Sequence, residues 1–215
     1  MKVSLIGTFY ERHERTRELL RRVYEESTRP PDEMWLMCEG AKDYEVATKA
    51  ARPSYKGLII MEWPTPRTAN GDYAILPYSY KINYALDNTN ADAIVYLDNG
   101  SMPHPRKYEL MAAELEVHPE YGAVYCSAYH TGIDEVFRQA TQVVEDAYCV
   151  LNFTQVMNRP TADRWTLDLN NGRPYDLADA LFWRSLHKNL GSFYPVKFDK
   201  VLDVHRIEGY QAVGL

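Results

Sequence analysis

Four apolar runs in this sequence stop at residues that can do chemistry. Residues 93–98, AIVYLD, end on Asp98 and turn at once into Asn99, Gly100 and Ser101. EMWLMC is followed by Glu39 and Gly40, GLIIM by Glu62, and KVSLIG by Thr8, Tyr10 and Arg12. An apolar run that ends abruptly at an acid reads as a buried strand delivering one carboxylate to the edge of a sheet. Carboxylates collected there can ligate a hard cation or accept hydrogen bonds from a polar ligand. Each residue also has a plain structural reading. Asp98-Asn99-Gly100 is an ordinary turn sequence, Glu39 can be a solvated loop acid, and Arg12 can be surface charge.

The elements that must position these residues alternate. After the first strand, ERTRELLRRVYEES carries Leu19, Leu20, Val23 and Tyr24 at helical spacing. YEVATKAA and YSYKINYALDN read as helices between the second, third and fourth strands. Strands that are near-continuous apolar runs, alternating with helices, imply an α/β fold with a mostly parallel sheet covered on both faces. Ligands of such sheets sit beyond the carboxyl ends of the strands. The second half has a looser rhythm. PRKYELMAAELEVHP is a helix and YGAVYCSAY a single strand. DEVFRQATQ and DAYCVLNFTQVM read as antiparallel edge strands or a hairpin, and RPTADRWTLDLNNGRPYD as a polar loop. DLADALFWRSLHKNLG is a helix capped by Gly191, and SFYPVKF and KVLDVHRIEG close the chain as short strands.

The 215 residues suffice for one domain with a real core. The formal net charge of −6 argues against bulk nucleic-acid binding, which needs clustered Lys and Arg. ERHERTRELLRR leans basic, but its glutamates nearly balance it, so it reads as a solvated helix face. Seventeen tyrosines, many for this length, fit either a wet groove with aromatic walls or a core margin. Cys38, Cys126 and Cys149 are odd in number and widely spaced, without a CxxC pair. They argue against a disulfide framework or structural zinc and for reduced thiols in a cytoplasmic setting. No apolar run is long enough for a membrane span, and the first residues have no signal-peptide pattern.

The order of these elements resembles the GT-A fold glycosyltransferases, family 2-like, which act with inversion. VSLIGTFYER is similar to that family's opening strand and nucleotide loop. MWLMCEGA resembles its second strand, SYKINYAL its donor-side helix, and IVYLDNGSMPHP its strand with a DxD motif and following proline. PYDLADALFWRSLHKNLGSFYPV resembles its late acidic helix start, glycine and strand. The resemblance spans nearly the whole chain. It implies a single GT-A domain over 1–215, with a nucleotide-sugar-binding half at 1–105 and an acceptor-binding half at 106–215.

What the resemblance implies about roles follows residue by residue. The donor is a nucleotide-diphosphate sugar, a UDP-hexose, and the acceptor carries a hydroxyl. Mn²⁺ or Mg²⁺ bridges the diphosphate. Asp98 takes the first acid of the DxD motif. The second falls on Gly100 and the third on Ser101, so Asp98 carries the charge alone and the cation is held weakly. His205 is the candidate further ligand, with a strand-edge side chain as its other reading. Thr8 and Tyr10 flank the base, Arg12 pairs with phosphate or Glu39, and Glu39 reads the uracil edge or ribose. Asn83 and Lys81 are two apart on one helix and do not share a face; family position favours Asn83. Asp179 and Asp176, both placed before the late helix, are the alternatives for the general base. Counting back from Gly191 favours Asp179. Trp165 is either an exposed stacking platform or a core anchor. Two other readings stay open. One is a non-catalytic nucleotide-sugar-binding module. The other is a sugar nucleotidyltransferase, against which the absence of a Gly-rich loop in GTFYERHER speaks.

Overall fold

The structure, a computed structural model, describes residues 1–11, 13–98, 100–130, 135–144, 151–168 and 174–205. For 130, 135–138, 174–177 and 205 only the backbone is described. The first half alternates as the sequence implies. β1 (Val3–Phe9) leads to α1 (His13–Arg21), which widens into a π turn over Arg22–Glu26. β2 (Glu33–Cys38), α2 (Ala41–Ala50), β3 (Leu58–Glu62), α3 (Pro77–Asn88) and β4 (Ala93–Asp98) follow. Pro77 at the first position of α3 needs no N–H partner there. The second half holds β5 (Ser101–Pro103), α4 (Lys107–Val117), β6 (Ala123–Tyr125), β7 (Ala128–His130) and β8 (Glu135–Arg138). It ends with β9 (Val156–Asn158), α5 (Pro174–Leu190), β10 (Phe193–Pro195) and β11 (Asp203–His205).

Among the described residues the main sheet has seven strands in the order β10-β6-β9-β4-β1-β2-β3. β1 pairs parallel with β2 and β4, and β2 with β3. β9 runs antiparallel between β4 and β6. Alternation along the strands divides the core in two. Val3, Leu5, Val95 and Leu97 pack with Leu19 and Leu20 of α1 and Met111 and Leu115 of α4. Ile6, Ile94 and Tyr96 pack on the other face with Ile82 and Ala85 of α3 and Phe182, Trp183 and Leu186 of α5. The result is three layers, helix on sheet on helix. A second sheet of four short strands, β5-β11-β7-β8, stands apart.

Three local expectations change. YGAVYCSAY is two strands in two sheets, because Cys126 N–H turns to the Gln155 carbonyl at 2.9 Å and Ser127 Oγ accepts from Ala140 N–H. The segment expected at an edge supplies β9, which is interior to the sheet. The late helix begins at Pro174, so Asp176 and Asp179 lie within its first turns rather than before it. Its expected cap holds: Gly191 has φ of 82° and donates to the His187 carbonyl at 2.9 Å.

Candidate functional site

The strand order reverses beside β1. β2 and β3 build outward on one side, and β4 returns to the other. A crevice opens at such a switch point, beyond the carboxyl ends of the two central strands. The register brings the strand ends level to within one residue there: Thr8 stands opposite Asp98 and Met37, and one row further on Cys38 stands between Phe9 and Glu62. Alternation also assigns a face. Thr8 and Asp98 continue the parity of Ile6 and Tyr96, which face α3 and α5.

Asp98 Oδ1 accepts the Gly100 N–H at 2.8 Å and the Ser101 hydroxyl at 2.9 Å. The carboxylate thus organises its own turn. That turn does not close a hairpin on β4. Ser101–Pro103 pairs instead with Asp203–His205, which sets position 205 directly opposite Ser101. Two segments far apart in the chain therefore converge beside Asp98. The side chain of His205 lies outside the described residues, as does all of Arg12. Among the described residues no three His, Cys, Asp or Glu side chains cluster as a metal site. The chemistry of the converging groups still fits a hard divalent cation. One carboxylate and one hydroxyl oxygen come from Asp98 and Ser101, and the register places the backbone of residue 205 opposite Ser101.

Glu39 is not a solvated acid. It is 8% exposed, one residue past β2, with its N–H on the Phe9 carbonyl at 3.3 Å. Its carboxylate accepts from Thr65 Oγ1 at 2.8 Å, from Thr65 N–H at 3.3 Å, and from Lys81. Arg67 adds an ion pair at 3.7 Å. Lys81 is 2% exposed and also donates to Thr65 Oγ1 at 2.8 Å and the Pro77 carbonyl at 3.3 Å. Burial holds its ammonium below the usual lysine range, and the Glu39 carboxylate only partly offsets this. The Arg67 guanidinium lies 4.0 Å over the Tyr73 ring. Burial and the Glu39 charge raise the Tyr73 phenol. Beside them Tyr10 is half exposed, and its phenol is raised first by its bond to Glu11, then by burial. Glu11 itself sits at φ of 58°, with its N–H on Asp43 Oδ1 at 3.2 Å, and the same oxygen meets His13 Nε2 at 2.6 Å. A non-glycine residue in this region is strained and must be held by its surroundings.

Asn83 does not join this group. Its side chain donates to the Trp165 carbonyl and accepts the Trp165 N–H, both at 2.8 Å. Lys81 is the member of that helix that reaches the strand-end acid. Trp165 is the core anchor: 2% exposed and stacked on Phe182 at 4.7 Å. Asp179 is half buried on α5, and its Oδ1 accepts the Ala180 N–H at 3.0 Å. The side chain of Asp176 lies outside the described residues. Lys81, Thr65, Arg67 and Tyr73 were not singled out as a group by sequence reasoning. The available signal was a lysine within a helix whose neighbours Ile82 and Ala85 are core residues, because a charge at a buried position needs a partner.

This architecture is the GT-A fold, an α/β sheet whose strand order switches between β1 and β4. No protein-family model matches the chain. Over 156 residues it is 28% identical to Protein CgeD of Bacillus subtilis (strain 168), a match covering 65% of this chain and 34% of that protein. Among solved structures it resembles S. aureus TarS 1–349, with a TM-score of 0.71 at 15% identity, covering 96% of this chain and 60% of that one. That fragment has also been crystallised with UDP-GlcNAc and with UDP. The mannosyltransferase PcManGT from Pyrobaculum calidifontis, in complex with GDP-Man and Mn²⁺, matches with a TM-score of 0.68 at 17% identity over 97% of this chain and 58% of that one. Glucosyl-3-phosphoglycerate synthase from Mycobacterium tuberculosis, with Mn²⁺ and UDP, matches at 0.59 and 13% identity, over 90% of this chain and 68% of that one. The chain thus spans about a third of CgeD and about three fifths of the TarS fragment.

Proposed function

We propose that this chain is an inverting, family 2-like glycosyltransferase that moves a hexose from a UDP-sugar to an acceptor hydroxyl. The observation that carries the reading is Asp98 at the switch point, in register with Thr8, with the buried Glu39–Lys81 pair past the end of β2 on the other side of β1. Complexes of structural relatives with UDP-GlcNAc, UDP and GDP-Man support a nucleotide-sugar donor.

In this reading Tyr10 and Thr8 flank the base. Glu39, held by Lys81 and Thr65, lines the nucleoside end, and Arg12 serves the phosphates. Asp98 and Ser101, with His205, would hold a divalent cation, which supplies charge neutralisation to the departing diphosphate. Asp179 accepts the proton of the acceptor hydroxyl, with Asp176 as the competing base. The acceptor oxygen bonds to the anomeric carbon as the bond to the diphosphate oxygen breaks, and the bonding pair leaves with the diphosphate. One displacement from the opposite face inverts the configuration, so a base is needed and a protein nucleophile is not. Gly100 at the second acid position makes cation binding weak and keeps a non-catalytic nucleotide-sugar-binding module as the second reading. Cys38 and Cys126 are buried free thiols that burial pushes up to about 12, which keeps them unreactive and outside the chemistry of the site. Among the described residues no helix is long and apolar enough to cross a membrane.

The test is calorimetric binding of UDP with and without Mn²⁺, to wild type and to Asp98→Ala. Tighter binding with Mn²⁺ that is lost in the variant is expected, followed by hydrolysis of a UDP-sugar in a donor screen. UDP binding indifferent to both metal and Asp98 would refute the cation assignment. Binding without any donor turnover would favour the non-catalytic module.

A further inference from the structure

Two fully buried charges in the second half have no part in the reaction above. Lys107 opens α4, Asp203 opens β11, and both are 0% exposed. Lys107 Nζ donates to Asp203 Oδ2 at 2.9 Å and to the Thr154 carbonyl at 2.7 Å. The other oxygen, Asp203 Oδ1, is buried without a hydrogen-bond partner among the described residues. Desolvating two charges costs several kcal/mol, and apolar pairs of similar volume often serve stability as well or better. A pair with one oxygen left unmet is a poor stabiliser. Its position in the fold points to another role.

Among the described residues β11 is a three-residue strand between β5 and β7. Its partners on one side are Pro103, Met102 and Ser101 of β5, and Pro103 has no N–H to give to a ladder. A strand this short has little to fix its register, and a slip of one residue sends every side chain to the opposite face. Lys107 lies just past β5, and its N–H bonds the His104 carbonyl at 2.9 Å, while His104 N–H bonds the Leu202 carbonyl at 2.9 Å. The ion pair therefore ties the segment leaving β5 to the first residue of β11. That tie sets position 205 opposite Ser101, whose hydroxyl bonds Asp98.

We propose that Lys107 and Asp203 are positioning residues for the cation end of the donor site: they lock the β5/β11 register so that His205 arrives beside Asp98 and Ser101. This rests on the donor-site reading above. Lys107→Met alone would strand a buried carboxylate, so the informative protein is Lys107→Met/Asp203→Leu, which removes both charges. The comparison with wild type has two readouts, amide hydrogen exchange of the unliganded protein and calorimetry of UDP with and without Mn²⁺.

The expected result is a folded double variant with a Tm at or above that of wild type. Exchange at Met102, Val204 and His205 speeds at least tenfold, while amides of β1, β2 and β4 stay protected. Mn²⁺-dependent UDP affinity falls by about 10–100-fold, the range for groups that orient metal ligands, and metal-free UDP affinity does not change. Lys107→Arg, which keeps the charge, retains Mn²⁺-dependent affinity closer to wild type than the double variant does. Unchanged exchange at those amides overturns the proposal. So does an equal loss of metal-free and Mn²⁺-dependent binding, which would mark a merely structural pair. If wild type itself binds no UDP, the donor reading fails, and the exchange data alone still decide whether the pair sets the register.

Discussion

Replacing Lys81 with methionine tests the buried centre of the candidate site most sharply. Methionine keeps much of the side-chain length and removes the ammonium. Glu39, 8% exposed, then keeps its carboxylate with only Thr65 and the more distant Arg67 facing it. Breaking a buried ion pair by removing one partner costs about 3–5 kcal/mol. The surviving Thr65 bonds place Lys81→Met at the lower end, about 3 kcal/mol. With a urea slope of about 3 kcal/mol/M, the unfolding midpoint should fall by about 1 M. Glu39→Gln/Lys81→Met removes the stranded charge while an amide can still meet Thr65. The double-mutant cycle should then show a coupling of at least about 1 kcal/mol, within the range for residues in one network. A coupling below about 0.5 kcal/mol would refute the reasoning, because Glu39 would then be sustained by something other than Lys81. UDP calorimetry on the same proteins reports whether the pair also shapes the nucleoside end.

Asp179→Asn should lower kcat by about 10²–10⁴-fold with UDP affinity unchanged, the range for loss of a general base; a larger loss in Asp176→Asn would transfer the role. Stability should fall steeply in acid. Burial raises the Asp163 carboxyl, but donation from Asn189, Ser185 and Thr161 outweighs it and leaves the pKa below its ordinary value. Glu33 behaves alike, with Thr89, Trp35, Lys2 and Ser4 as donors. Groups lowered in the folded state contribute stability that is present above the ordinary carboxylate pKa of about 4 and lost as pH falls through the folded value. Lys81, also held below its ordinary value, has the same sign in a different window: the unfolded chain keeps that proton to higher pH, so this group opposes folding less as pH rises through the alkaline range. Urea midpoints measured across acid and alkaline pH should rise with pH in both windows, and Asp163→Asn should flatten the acid limb.

The strand ends were legible because an apolar run that stops at an acid is a local signal, as at Asp98 and Glu39. Their convergence at one edge of the sheet follows from the parallel order, which helix–strand alternation already implied. What the sequence hid was pairing. Lys81 and Asn83 looked alike on one helix, and the reading by resemblance favoured Asn83. The fold gives Asn83 to the Trp165 backbone and Lys81 to Glu39, a choice set by which side of α3 faces β2. β9 was misplaced for a related reason. Its three residues carry too little pattern to separate an interior strand from an edge, and only its neighbours β4 and β6 define it. β5 and β11 are as short, and their meeting beside Asp98 is a long-range fact that no local pattern carries.

The antiparallel insertion of β9 also sets an order of events for a chain made from its N-terminus. β1 to β4 can assemble early, since each waits only for the next strand and its helix. β4 then presents an open edge until Val156–Asn158 has been synthesised and has turned back to cover it. That edge, flanked by the apolar side chains of Ile94 and Val95, is a template for pairing with another chain. The interval between completing β4 and β9 is therefore when a growing copy is most exposed to association with its neighbours on a polysome, and when a chaperone that shields strand edges would matter most.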